Sequence, residues 1–131
     1  MPKEATKADS VPKPMGDYSQ AWTVTGAKIV FTAGQVSVDN NGGIVGKGDF
    51  AIQTRTAMEN LKSVLEGVGA SLRDVIKLNT YVTNITEYQR SSVAIRREYF
   101  SPDFPASTLV EVKSLASPEF LVEVEAIAAV G

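Results

Sequence analysis

The sequence predicts an α+β fold in which two helices cover one face of a mixed β-sheet. Three observations predict it. Apolar residues recur at every second position, then at spacings of three and four, then alternate again, so that the elements read ββαβαββ. The closing segment alternates Val122, Val124, Ala126 and Ala128 with Leu121, Glu123, Glu125 and Ile127, a strand with one small apolar side for helices to cover. Finally, 131 residues with 44% hydrophobic and 21% charged side chains suit one domain, and a chain of that length buries roughly two thirds of the surface its unfolded form exposes.

Residues 1–17 contain Pro2, Pro12 and Pro14, mixed charge and no periodicity, and are expected to form a flexible arm ahead of a single domain over 18–131. Ala21 to Thr25 and Lys28 to Ala33 are β-rich runs joined by Gly26-Ala27, the pattern of a hairpin. Asp39-Asn40-Asn41-Gly42-Gly43 and the glycines at 46 and 48 mark loop and turn. From Asp49, Met58, Leu61, Leu65 and Val68 form the apolar stripe of a helix of roughly twenty residues. Ser71 and Asp74 form a small capping pair before the strand Val75 to Val82. Asn84 and Glu87 open a second helix that carries Tyr88, Ile95 and Tyr99 on one stripe and ends before Pro102. Two strands follow, near Ser107 to Val112 and Phe120 to Ala129, separated by a turn at Ser117-Pro118.

The chain has no Cys and no His, which excludes Cys/His zinc sites, iron–sulfur clusters, thiol nucleophiles and Ser-His-Asp triads. Its chemistry must use carboxylates, hydroxyls, amines, guanidinium groups or backbone. A net charge of −2 offers no positive field for phosphates, so no nucleic-acid partner is expected. The apolar runs fall far short of the ~20 residues of a membrane helix and no leader precedes the domain, so the expectation is a cytoplasmic protein with no membrane partner. Asn84-Ile85-Thr86 fits the glycosylation pattern and carries no weight without a leader. The segment GGIVGKGD fails the phosphate-loop pattern at Asn41 and Gly48. Arg96 and Arg97 read as a solvated helix face, with anion contact as the alternative, and Trp22 as core in preference to a ligand platform.

One sheet face remains. Ser107, Leu109 and Glu111 alternate with Thr108, Val110 and Val112. Placing Glu111 with Leu121, Glu123, Glu125 and Ile127 gives a face that mixes aliphatic groups with carboxylates. Such a face is expected to meet other subunits and leave a partly polar cleft, where Glu111, Glu123 or Glu125 orients water or forms salt bridges; the alternative is a sheet face open to solvent.

Gly16-Asp17-Tyr18-Ser19-Gln20, Phe31-Thr32-Ala33-Gly34-Gln35-Val36, Asn60-Leu61, Phe104-Pro105-Ala106 through Val110-Glu111-Val112, and Val122-Glu123-Val124-Glu125-Ala126-Ile127-Ala128 together resemble the RidA/YjgF family of reactive-intermediate deaminases. The resemblance spans about Val11 to Val130 and implies a chorismate-mutase-like fold with a six-stranded sheet, a homotrimer with clefts between subunits, and a small-molecule substrate with no cofactor or metal. In archetypal members an Arg follows Pro-Ala and pairs bidentately with the carboxylate of a 2-imino or 2-enamino acid. Here that position is Ser107, so simple 2-imino acids are expected to be poor substrates. By resemblance Glu123 positions the hydrolytic water, and Tyr18, Ala33, Gly34, Ser107 and Leu109 surround the substrate, with Ala33 where active members commonly show Ser. Three functions follow from the resemblance: a hydrolase or deaminase of an imine, enamine or related C–N compound, a non-catalytic ligand-binding or regulatory trimer, and a ribonuclease, the last disfavoured by charge.

Overall fold

A computed structural model describes residues 3–6 and 8–131. Its elements are β1 (Lys3–Thr6), β2 (Ala21–Val24), β3 (Lys28–Phe31), α1 (Phe50–Gly67), a 3₁₀ turn (Leu72–Asp74), β4 (Val75–Val82), α2 (Ile85–Ser91), α3 (Val93–Arg97), β5 (Ala106–Glu111) and β6 (Val122–Val130). The order ββαβαββ is present from β2 onward. No helix of the described residues is long and apolar enough to cross a membrane.

The expected helix signals work as capping chemistry. The Asp49 side chain accepts from the Ile52 N–H at 2.9 Å and starts α1. Asp74 accepts from the Ser71 N–H at 2.8 Å, and Asn84 accepts from the Glu87 N–H at 3.0 Å. Glu87 does not complete a box, because its carboxylate pairs with Arg90 one turn on. The α1 residues Ala57, Met58, Leu61 and Leu65 pack with Leu78, Val82, Val122, Val124, Ala126 and Ala128 to form the core between helices and sheet.

Four features differ from the expectations. Within the segment expected to be a flexible arm, Lys3–Thr6 forms a strand antiparallel to β2; Met1, Pro2 and Lys7 lie outside the described residues. The strands therefore hydrogen-bond as a pair, β1-β2, and a four-stranded sheet in the order β3-β6-β4-β5, instead of one six-stranded sheet. The expected hairpin is a corner. Gly26, at φ +67°, turns the chain so that β2 pairs with β1 and β3 pairs antiparallel with β6. The second helix is divided at Ser92, where Ser91 Oγ donates back to Glu87 O at 2.8 Å and competes with the helical ladder. Trp22 is only half-buried, donating from Nε1 to Phe104 O at 3.0 Å, outside the core.

A further difference, beyond those four, matters most for the site. In the sheet Leu78 stands opposite both Ser107 and Ala126, and Thr80 opposite both Leu109 and Val124. Ser107 and Leu109 therefore face the helices. Glu111, on the same side of β5, accepts from the Ile85 N–H at 2.9 Å at the start of α2. Glu111 does not share the open face with Glu123 and Glu125. That face carries Tyr81, Val110 and Glu123 in one row, and Asn79, Thr108 and Glu125 in the next. Period two orders side chains within a strand, but the phase between strands is set by pairing register.

Candidate functional site

On the open face the loop after β3 is drawn onto β6 by reciprocal hydrogen bonds. Gln35 N donates to Val124 O at 2.7 Å, and Val124 N donates to Gln35 O at 3.0 Å. Asn60, midway along α1, holds the same loop from the other side, its Nδ2 donating to Val36 O at 2.9 Å and Val38 O at 3.0 Å. Between these ties Gly34 lies directly against Glu123. A Cβ at Gly34 would stand 1.8 Å from Glu123 Oε2 and 2.6 Å from its Cδ. Gly34 is not among the residues at positive φ, so glycine is required here by space and not by backbone conformation.

Glu123 accepts no hydrogen bond among the described residues. Glu125, two residues on, is held through one oxygen: Tyr81 Oη donates to its Oε1 at 2.6 Å and Asn79 Nδ2 donates to the same atom at 3.1 Å. These donors hold the Glu125 carboxyl below the usual carboxylate range, and the same bond pushes the Tyr81 phenol up. The two neighbouring carboxylates thus differ: one is fixed in a network and the other is free to orient water. Ala33 is exposed beside them.

On the helix side lies a pocket of about 400 Å³. Tyr18, Ser107 and Leu109 line it, together with Thr80, Tyr88 and Arg96. The backbone places Tyr18 there, because Ser19 N donates to Pro105 O at 3.2 Å and Ser19 Oγ to Phe104 O at 2.5 Å, tying the entry segment to the start of β5. Arg96 was expected on a solvated face and is only 9% exposed. Its Nη2 donates to Ser107 Oγ at 3.1 Å and its Nη1 to Asp17 O at 3.3 Å. Burial pushes its pKa down from the ordinary guanidinium value. Arg97, next along the chain, is exposed and pairs with the Asp17 carboxylate. Tyr88, Ser92 and Arg96 are spaced by four in the sequence, and the structure buries all three.

The site residues therefore form two groups. Ala33, Gly34 and Glu123 stand on the open face, while Tyr18, Ser107 and Leu109 stand on the helix side. One chain does not bring Glu123 and Ser107 into one cleft. Among the described residues no group of three His, Cys, Asp or Glu side chains is placed to hold a metal ion.

Comparison with known proteins agrees with this architecture. A family model described as Endoribonuclease L-PSP matches residues 8–130. A RutC family protein of Pyrococcus abyssi is 40% identical over 128 residues, covering 98% of each chain. The 3-aminoacrylate deaminase RutC of Acinetobacter baylyi is 32% identical over 128 residues, also covering 98% of each. A Rid-family protein of Yersinia pestis superposes with a TM-score of 0.86 at 30% identity, over 99% of this chain and all of that one. Matched along almost its whole length in sequence and in fold, this chain belongs to the RidA/YjgF family.

Proposed function

We propose that the protein hydrolyses a small imine or enamine in a cleft between copies of the chain, with Glu123 positioning the water. The observation that carries this reading is the contact between Gly34 and Glu123, in which a missing side chain leaves the carboxylate uncovered and without an internal partner. The deaminase name of the Acinetobacter relative supports the reaction class.

The water oxygen bonds to the imine carbon, a proton passes to nitrogen, and the C–N bond breaks to give a carbonyl compound and ammonia. An enamine first takes a proton at carbon to become the imine. A carboxylate that accepts one O–H of the water raises its nucleophilicity and can carry the proton across to nitrogen. Because the Glu123 group and the Ser107 pocket open on opposite faces of one sheet, a substrate touching both must lie between two chains. The exposed apolar residues of the open face supply a contact surface for that assembly: Phe31 is 74% exposed, and Ile29 and Val110 are also uncovered. A homotrimer, as the resemblance implies, satisfies this arrangement.

The test is ammonia release from imines generated in situ, including 2-iminobutanoate, and from 3-aminoacrylate. Glu123→Gln keeps the shape and removes the carboxylate, and is expected to lower turnover at least about a hundredfold, in the range of general acid–base contributions. Gly34→Ala forces the Glu123 carboxylate aside and is expected to lower turnover with little change in melting temperature. Undiminished turnover in both variants rejects the reading. A folded wild type that binds such ligands without releasing ammonia points to a regulatory trimer.

A further inference from the structure

Arg96 is a buried charge with no ion-pair partner among the described residues, and Asp17, which lines the same pocket, acts on it only from beyond ion-pair distance. Arg96 is nine-tenths buried, yet among the described residues no carboxylate lies within ion-pair distance of its guanidinium, since Asp17 gives Arg96 only a backbone carbonyl and its carboxylate to Arg97. The Phe100 ring centroid lies 5.5 Å from the guanidinium carbon, a cation–π contact that does not neutralise the charge. A guanidinium carries five N–H donors, of which two are used here, to Asp17 O and Ser107 Oγ. A buried and unpaired cation is destabilising unless something completes it.

A second orphan lines the same pocket. Thr80 is 2% exposed, and its Oγ1 faces Tyr88 without closing a hydrogen bond of normal geometry. Ser107 Oγ, because it accepts from Arg96, keeps its own hydrogen to donate. A cation with spare N–H groups and two hydroxyls thus border one cavity of about 400 Å³, which Tyr18 and Leu109 line as well.

We propose that this pocket is an anion subsite in which Arg96, presented from α3, anchors the carboxylate of a small acid, with the Thr80 and Ser107 hydroxyls beside it. The guanidinium that position 107 lacks is delivered to the Ser107 side chain from a different element. Small carboxylate-bearing imines and enamines are then accepted, contrary to the expectation drawn from Ser107 alone. The nature of the reacting group rests on the function proposed above, whereas the anion site does not.

Binding separates the two. The intact protein is titrated calorimetrically with 2-oxobutanoate, a stable oxygen analogue of a 2-imino acid, and with 2-oxobutanamide, its neutral counterpart. The acid is expected to bind at least about tenfold more tightly, as loss of a charge-assisted pair requires. Arg96→Gln should abolish that preference, and adding Ser107→Arg to it should restore the preference. Arg96→Lys, which keeps the charge and loses the fork, should reduce it without abolishing it, and carries the test if Arg96→Gln does not fold. Equal binding of acid and amide by the wild type overturns the proposal, as does an undiminished preference in folded Arg96→Gln or in Arg96→Lys. An Arg96-dependent preference without ammonia release leaves the anion site standing and rejects the hydrolase. Ammonia release from neutral enamines with no acid preference does the reverse.

Discussion

Glu123 and Glu125 have the same side chain, the same strand and the same face, yet different surroundings. Glu125 is locked by Tyr81 and Asn79, while Glu123 abuts a glycine. The network has a pH signature. Because its donors lower the folded-state pKa of Glu125 from the ordinary 4.5, the stability it contributes is present above that value and is lost as pH falls through the lower folded one. Removing the phenol with Tyr81→Phe is therefore expected to destabilise the protein at pH 6, by at most about 1 kcal/mol for one partly solvated hydrogen bond. The difference from wild type should shrink toward zero as the solution is acidified below that range. Urea unfolding at several pH values measures it, and a difference independent of pH would show that Tyr81 acts only through packing.

Asn60 shows an element setting a site at a distance. Its amide reaches out of α1 to two carbonyls of the loop that holds Gly34 against β6. Asn60→Leu leaves both carbonyls without their donor, and should destabilise the chain by about 1–3 kcal/mol. It should also lower turnover more than any stability loss explains, because Gly34 is released from Glu123. Turnover measured well below the variant's melting temperature checks this, with full activity there counting against it. The Asn60-Leu61 pair is legible in the sequence as part of the family resemblance, but its reason is not: two contacts 22 and 24 residues away along the chain become visible only in the packed structure. Strand β6 was legible from alternation, β4 from its β-rich run, and α1 from its apolar stripe. Strand β1 was not, since four residues of mixed polarity become a strand only because β2 offers an edge.

At the scale of the molecule, the proposed assembly rests on the open sheet face, where Phe31, Ile29 and Val110 are uncovered. Phe31, 74% exposed on that face, is the residue whose replacement should matter most. Phe31→Asp is expected to shift the protein toward the 14.0 kDa monomer with little loss of monomer stability. Leu109→Asp should act differently, lowering the melting temperature first, because Leu109 faces the helices and packs against the core. Light scattering and thermal melts on both variants distinguish the two. A Phe31→Asp protein that assembles like wild type would remove that face from the interface.

Fold class, the caps at Ser71 and Asn84, the apolar side of β6, the family resemblance and the oddity of Ser107 where an Arg was expected are all readable along the chain. Each is written in local spacing or in a contiguous motif. Which residues of β5 share a face with Glu123 is set by packing, because it depends on Leu78 and Thr80 pairing with both neighbouring strands at once. Only the tertiary structure brought Arg96 to Ser107, eleven residues away. A guanidinium's long side chain can follow a helix outward into water or fold inward beside a strand. The sequence around Arg96 permits either, and the choice is made by the pocket that Tyr88, Thr80 and Phe100 build around it.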